Sequence, residues 1–319
     1  INPNIVYVQL PGFGADPDGP YYPFVAWGPN QAPLVGLDDL TGHAGREPAG
    51  VATVAPPDYY AALHATFLVL AGHEHRDRTG EGVHVDIPQF EATIALLGQF
   101  AMDHELNGHT QSRIGNRSLW YAPQGVYPSK GHERWIAISC EDDAQWTAID
   151  AMAAQGWAAD ERFATNEARL ENVDALDEVM ACWTAEFSNH ELAHPLQRNG
   201  VAAHIVATNE DLIADEQVRD RGNFLARPNT RFKRELITGN VHRLTETPPV
   251  NRHGGPSTGE HTFEVLTEVA GMSEAEVQAL IDEDVAFTMI APDLQLDRPS
   301  EEWLHILFPL EAEDSRDLA

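Results

Sequence analysis

Lysine is almost missing from this chain. Only Lys130 and Lys233 occur among its 319 residues, so arginine supplies nearly all of the positive charge. With 20 basic and 50 acidic residues, the formal net charge is −30. Such a surface repels nucleic-acid phosphates and anionic membranes, so neither is an expected partner. Because salt screens the repulsion among acidic side chains, this balance predicts adaptation to high salt, although a GC-rich genome would also deplete lysine.

Cysteines and long apolar runs are scarce too. Cys140 and Cys182 lie far apart without any Cys-x-x-Cys or Cys/His spacing, so the sequence predicts neither a disulfide framework nor a zinc site. A cytoplasmic location is therefore expected. The longest apolar stretches, near residues 61–71 and 92–102, are too short to span a bilayer. The first ten residues contain no Met, no basic segment and no apolar core, which predicts a chain cut from a longer one.

The hydrophobic patterning predicts an α/β chain. Its first part should contain a strand over residues 5–10, a short helix within 31–40, a buried helix over 59–78, a strand over 83–87 and an apolar helix to about 107. A second region should hold a strand over 132–139, helices over 142–155 and 172–187, a helix capped by Ser188 and a strand over 201–207. Ser273 and Glu276 form the capping box of the last clear helix. Residues 16–57 and 108–128 are predicted loops, a kind of segment that often carries function.

Common cofactor and nucleophile motifs are absent. Gly12-x-Gly14 lacks the third glycine of a dinucleotide fingerprint, there is no Walker A motif, and Gly255 to Gly259 has the wrong spacing for a nucleophile elbow. His73 and His75 diverge on a helix, so a solvated helix end is a better interpretation than a metal site. No metal site is predicted.

Asp58 stands directly before the long predicted helix and allows two interpretations. The simpler one is a helix N-cap, because Asp after Pro-Pro satisfies free backbone N–H groups. The functional one is a carboxylate nucleophile, since the positive end of a helix dipole favours its ionised form and nearby amides can stabilise charge on an acyl oxygen. Spacing alone favours the N-cap.

Several motifs resemble the family III CoA-transferases, also called the CaiB/BaiF family. The most specific is Val-Ala-Pro-Pro-Asp58-Tyr-Tyr, followed by the helix end His-Arg-Asp-Arg-Thr-Gly80-Glu-Gly and by Val-His-Val-Asp86-Ile-Pro-Gln89. Further matches cover most of positions 1 to 287 and include Arg113-Ile-Gly-Asn-Arg117, Ala-Pro-Gln-Gly125-Val-Tyr, Gly200-Val-Ala-Ala and Gly259-Glu-His-Thr.

The resemblance implies a fold and a reaction. The fold would be a Rossmann-like large domain with a smaller α/β domain, in an interlocked homodimer or paired with a homologous half. The reaction would transfer CoA from an acyl-CoA donor to a free carboxylic acid, with Asp58 as the nucleophile. No metal or redox cofactor is needed, and the CoA thioester is a substrate. Because the loop over residues 116–124 is not glycine-rich, it looks closer to members that act on larger acids such as carnitine or benzylsuccinate.

The resemblance also suggests further site residues. Trp27, Asn30 and Gln31 precede Asp58 where the family lines its acyl pocket, although such groups often satisfy only their own loop. Arg113 and Arg117 are candidates for CoA binding, with solvation or a structural ion pair as the alternative. Two aromatic residues are candidates to close over the acyl group, with core packing as their alternative: Trp120 and Tyr121.

The expected organisation has four parts. Residues 1–128 form the latter part of the large domain, 129–207 the small α/β domain, 208–287 a return to the large domain, and 288–319 a tail or linker. Two rival functions stay open: an α-methylacyl-CoA racemase-like isomerase, and the noncatalytic half of a tandem or two-subunit transferase. Because the family's opening half would supply basic contacts for CoA, the 319-residue chain alone is expected to bind CoA weakly.

Overall fold

A computed structural model describes residues 2–51, 55–229 and 233–288. One compact unit ends at Val206 and another begins at Ala207. The first unit contains five strands, β1 to β5: Val6–Gln9, Val83–Asp86, Gln124–Pro128, Trp135–Ser139 and Ala202–Ile205. Its helices, α1 to α9, are Gly28–Leu34, Leu37–Leu40, Pro56–Thr79, Gln89–Ile94, Gly98–Asn107, Asp143–Ala153, Asn166–Glu171, Val173–Thr184 and Asn189–Arg198. The α/β class is confirmed.

The first half of this unit is a β-α-β arrangement. Strands β1 and β2 pair in parallel, with Val6 opposite Val83 and Gln9 opposite Asp86. Helix α3 connects them and packs so closely that a Cβ on Gly72 would lie 2.8 Å from a methyl of Val6. Both strands and the 24-residue helix were predicted. The apolar helix that follows is interrupted, because a 3₁₀ turn over Ala95–Leu97 separates α4 from α5.

The predicted burial of α3 is wrong. Only Pro57, Ala61 and Gly72 are buried along the whole helix. Four large apolar side chains at near-helical spacing are between 64% and 70% exposed, namely Tyr59, Leu63, Phe67 and Leu70. Within the part of the chain that the structure describes, the sheet beneath α3 has two strands, so it covers one side of the helix and leaves the other open.

The second half of the unit holds most of the core. Strands β3, β4 and β5 form an antiparallel sheet in that order, and helices α6 to α9 complete the region. Its core includes Ile136, Trp146, Leu176 and Leu196, each almost inaccessible to solvent. Ser188 caps α9, as predicted, and the structure adds a reciprocal capping box with Glu191. Strand β3 was missed and assigned to a loop, because its ends carry Gly125 and Pro128, which are typical of turns.

The second unit has fewer regular elements. Helices α10 and α11 span Asn209–Ala214 and Glu216–Asp220, and strands β6 and β7 form an antiparallel hairpin over Phe224–Asn229 and Lys233–Thr238. This hairpin was not predicted. Helix α12 covers Thr262–Glu264 and runs into a π-helical turn, and α13 covers Glu274–Asp282 with the predicted Ser273–Glu276 capping box. Of the predicted tail over 288–319, all but residue 288 lies outside the described residues, as do residues 52–54.

No helix in the described ranges is long and apolar enough to cross a membrane.

Candidate functional site

Asp58 lies in the first turn of α3. The helix begins at Pro56 after Ala55, so Asp58 is its third residue and not its N-cap. Its side chain makes no capping hydrogen bond. It is exposed, and among the described residues its carboxylate has no hydrogen-bond or ion-pair partner. The N-cap interpretation is therefore wrong. Because proline suits the first turn of a helix, Pro56 and Pro57 start α3 three residues earlier than expected.

The prolines also change which backbone donors surround Asp58. Proline has no N–H group, so Pro56 and Pro57 offer none. The N–H of Asp58 itself donates to the carbonyl of Ala55, with 3.1 Å between nitrogen and oxygen. These three positions therefore provide no free amide for an acyl oxygen. The amide stabilisation that the sequence suggested has to come from groups outside them.

The start of α1 packs against the start of α3. A Cβ added to Gly28 would lie 2.7 Å from the Cβ of Ala55, so the two helix ends are in direct contact. Trp27 precedes Gly28, and its side chain is exposed. The Asn30 amide accepts from the Trp27 N–H and donates to the Val25 carbonyl, both at 2.9 Å. Asn30 thus fixes the backbone of residues 25–27, which precede α1. Trp27 lies next to the contact between the starts of α1 and α3.

Gln31 lies inside the protein. It is 1% exposed, and its amide nitrogen donates to the side-chain oxygen of Gln89 at 2.9 Å. The bond ties α1 to the first residue of α4. Gln31 therefore has a structural role, because it holds α1 and α4 together.

Arg113 fastens a loop of the same unit. Its guanidinium forms an ion pair with Asp39 and also donates to the Asp39 carbonyl at 2.8 Å and the Arg46 carbonyl at 3.1 Å. The adjoining backbone is bound as well, since the Gly115 N–H donates to the Gly42 carbonyl at 2.8 Å. Nε and one terminal nitrogen of Arg113 are thus bound within its own chain.

Arg117 belongs to a network at the edge of a cavity. Its Nε donates to Asp177 at 2.8 Å, and its terminal nitrogen pairs with Asp174 and Asp177 at 2.7 Å. Partial burial lowers the pKa of Arg117, but these two carboxylates raise it more, so the guanidinium stays charged. Tyr127 donates to Asp177 at 2.9 Å, and burial together with that carboxylate raises the Tyr127 pKa far above its usual value.

The cavity has a volume of about 390 Å³. Arg117, Tyr127, Asp174 and Asp177 form one side of it, and His43 with Asn116 contributes to the rest. Of these residues, Arg117 alone was a predicted site residue. The sequence around Asp174 and Asp177 contains no motif and is typical of the exposed side of a helix. These two residues come close to Arg117 only in the folded chain.

Trp120 and Tyr121 lie in the segment that leads to β3. Trp120 is 74% exposed, and Tyr121 is half-buried. Neither belongs to the core, so the packing alternative is not what the structure shows for Trp120. Among the described residues, no hydrogen bond or ion pair joins Asp58 to Arg113, Arg117 or Trp120. The structure thus places Trp27 beside the contact between Gly28 and Ala55, three residues before Asp58, and leaves Arg113 and Arg117 in separate local networks.

Comparisons with known proteins agree with one another. The model of CoA-transferase family III matches residues 1–262. The succinyl-CoA–D-citramalate CoA-transferase of Chloroflexus aurantiacus is 28% identical over 281 residues, which are 88% of this chain and 69% of that protein. The succinyl-CoA–L-malate CoA-transferase alpha subunit of Chloroflexus aurantiacus is 27% identical over 280 residues, 88% of this chain and 65% of the relative. The chain therefore spans about two thirds of the length of these relatives.

A solved structure shows the same fold. The CaiB/BaiF family protein from Brucella suis superimposes with a TM-score of 0.75 and 27% sequence identity, over 84% of this chain and 68% of that one.

Proposed function

Because the chain belongs to CoA-transferase family III, we propose that it transfers CoA from an acyl-CoA thioester to a free carboxylic acid, with Asp58 as the nucleophile. The observation that carries the assignment is the state of Asp58. It is exposed, lies in the first turn of a 24-residue helix, and has no partner among the described residues. A carboxylate that caps no helix and pairs with no cation is free to attack a carbonyl carbon.

The reaction needs no atoms beyond those of the two substrates and Asp58. The Asp58 carboxylate attacks the thioester carbonyl and expels CoA thiolate, which leaves a mixed anhydride. The thiolate attacks the Asp58 carbonyl of that anhydride and releases the donor acid, which leaves an aspartyl-CoA thioester. The acceptor carboxylate then attacks the carbonyl carbon of this thioester and expels CoA thiolate, which leaves a second mixed anhydride between the acceptor and Asp58. The thiolate attacks the acceptor's acyl carbon, which forms the product thioester and releases the Asp58 carboxylate. No net proton is taken up or lost.

The substrate class follows from the named relatives. Both use succinyl-CoA according to their names, and their acceptors are hydroxy dicarboxylic acids. We therefore expect succinyl-CoA as a donor and a small dicarboxylic acid as acceptor, in preference to the larger acids that the loop over residues 116–124 suggested.

Substitution of Asp58 tests the nucleophile. Asp58→Asn should abolish CoA transfer, because a neutral amide cannot form the anhydride, while the circular dichroism spectrum stays unchanged. Asp77→Asn is the matched control, since Asp77 is also an exposed carboxylate of α3 but lies at its other end. Mass spectrometry during turnover should find CoA attached to the peptide with Asp58 in the wild type and in Asp77→Asn. Normal turnover of Asp58→Asn would refute the assignment.

The same labelling separates the two rival functions. A racemase-like isomerase would move a proton and leave Asp58 without bound CoA. The second rival is favoured by one observation, that a relative is an alpha subunit and so works with another chain. If the 319-residue chain gains transfer activity only with a homologous chain added, Asp58→Asn in that mixture shows which of the two supplies the nucleophile.

A further inference from the structure

The segment around Trp120 is held by side chains of α7. Asn166 donates from its amide nitrogen to the Trp120 carbonyl at 2.8 Å, and its amide oxygen accepts from the Ala122 N–H at 3.2 Å. Arg169 donates from Nε to the Ala122 carbonyl at 2.6 Å. Three backbone groups, on the two residues Trp120 and Ala122, are therefore fixed by two side chains of one helix.

Arg169 makes this attachment difficult to break. Its side chain is fully buried, and it also donates to the Phe163 carbonyl at 3.2 Å and to Asp143 at 2.8 Å. Its guanidinium lies 5.3 Å from the ring centre of Trp146. Removing a partner from a buried charge is costly, so Arg169 keeps all of these bonds in the folded state. Arg169 was not predicted, because its only signal in the sequence is a charge on the buried side of a helix.

The fixed backbone presents apolar side chains to solvent. Leu119 is 53% and Trp120 74% exposed, while the Ser118 hydroxyl accepts from the Trp120 N–H at 3.1 Å. Exposed apolar side chains in a loop usually accompany a loose backbone. Here the backbone is anchored, and an indole held open to solvent on a rigid support is typical of a binding surface.

Electrostatics indicates what this surface binds. The chain carries a net charge of −30, which opposes a multiply charged CoA thioester. Arg113 and Arg117, the arginines expected to meet its phosphates, are already paired with carboxylates of the same chain. Affinity for a thioester has to come largely from apolar contact with its acyl and pantetheine part, and Trp120 offers such a contact.

We propose that Asn166 is a positioning residue that holds Trp120 against the acyl-pantetheine part of a bound CoA thioester. This inference rests on the proposed function. Asn166 touches no substrate itself and acts by fixing the carbonyl of Trp120 and the N–H of Ala122.

The test measures succinyl-CoA binding by calorimetry on the full 319-residue chain. Asn166→Ala removes both bonds to the segment and should weaken binding about tenfold, the effect of roughly one to two lost hydrogen bonds. Asn166→Asp keeps the acceptor for Ala122 and loses the donor for Trp120, so it should have a smaller effect. Asn172→Ala is the control, because Asn172 ends the same helix and donates to Ala168 and Arg162 but not to the segment.

A double-mutant cycle separates positioning from general stability. In a Trp120→Ala background, Asn166→Ala should cause no further loss of binding, because the side chain that it positions is gone. Hydrogen exchange should show faster exchange of the Ala122 amide in Asn166→Ala alone. Equal losses from Asn166→Ala and Asn172→Ala, full additivity with Trp120→Ala, or no binding by the wild type would overturn the inference.

The outcome is distinguishable from a failure of the proposed function. Binding that depends on Asn166 without any CoA transfer would overturn the function and support the inference. Transfer through Asp58 with binding insensitive to Asn166 would do the reverse.

Discussion

The two halves of the first unit are built differently although each has a sheet covered by helices. The half around β3, β4 and β5 has a core of sixteen buried residues, whereas the buried cluster around α3 has three: Ala61, Ile87 and Ala92. Asp58, the proposed nucleophile, lies in the half that contains α3. The residues that form the main hydrophobic core are therefore separate from the proposed nucleophile. One half folds around its own core, and the other exposes an apolar helix that carries Asp58.

The largest expected difference between the two halves is in how far the truncation of a leucine lowers the free energy of unfolding. Leu196→Ala should lower the free energy of unfolding by about 2–5 kcal/mol, because Leu196 is fully buried in the well-packed half. Leu63→Ala should change it by less than about 0.5 kcal/mol, because Leu63 is 68% exposed on α3. Urea unfolding of both variants makes the comparison. A similar cost for the two would mean that the α3 face is covered in solution.

Alkaline pH should also lower the stability of the half around β3, β4 and β5. Burial raises the pKa of Cys140 from 9.0 to about 12, and the Tyr127 pKa is raised in the same direction. The folded state therefore holds these protons more tightly than the unfolded state. Stability is fully present below about pH 9 and falls as pH rises toward 12, by up to about 1.4 kcal/mol per pH unit for Cys140.

Urea unfolding between pH 8 and 10.5 checks this expectation. Cys140→Ala should flatten the alkaline decline, and Cys182→Ala, at an exposed cysteine, should leave it unchanged. An equal slope in the wild type and Cys140→Ala would show that the Cys140 thiol does not contribute.

The smallest expected effect is a difference in stability between substitutions at the starts of two helices, α9 and α3. Ser188→Ala should cost about 1 kcal/mol, because the Ser188 hydroxyl accepts from the Glu191 N–H in the capping box. Asp58→Asn should cost less than about 0.5 kcal/mol, because Asp58 caps nothing. Thermal unfolding of the two variants provides the measurement. A larger loss for Asp58→Asn would restore a structural role for that carboxylate.

Local signals in the sequence predicted most elements correctly. Alternation and apolar runs located β1, β2 and α3, and the Ser188 cap and the Ser273–Glu276 capping box were read directly from the sequence. The burial of α3 could not be predicted this way, since it depends on how many strands lie beneath the helix. The hairpin of β6 and β7 was missed because charged residues such as Arg227 and Glu235 obscure its alternation.

The candidate site was predictable only in part. The motif identified Asp58, but its place as the third helical residue follows from the geometry of the two prolines. Arg117 was identified without its partners, because Asp174 and Asp177 are about sixty positions away. Asn166 has no signal at all in the sequence, since its two bonds to the segment near Trp120 exist only after folding.

The two prolines before Asp58 have a further consequence, for entropy. Each ring fixes one backbone angle in the unfolded chain as well as in the folded one, so less conformational freedom is lost when this turn forms. The helix also cannot easily extend backwards through Pro56 and Pro57, so its start does not shift along the chain. Fraying, which moves the end residues of most helices, is thereby restricted next to Asp58. The backbone position of Asp58 is therefore fixed in the folded chain at little cost in conformational entropy.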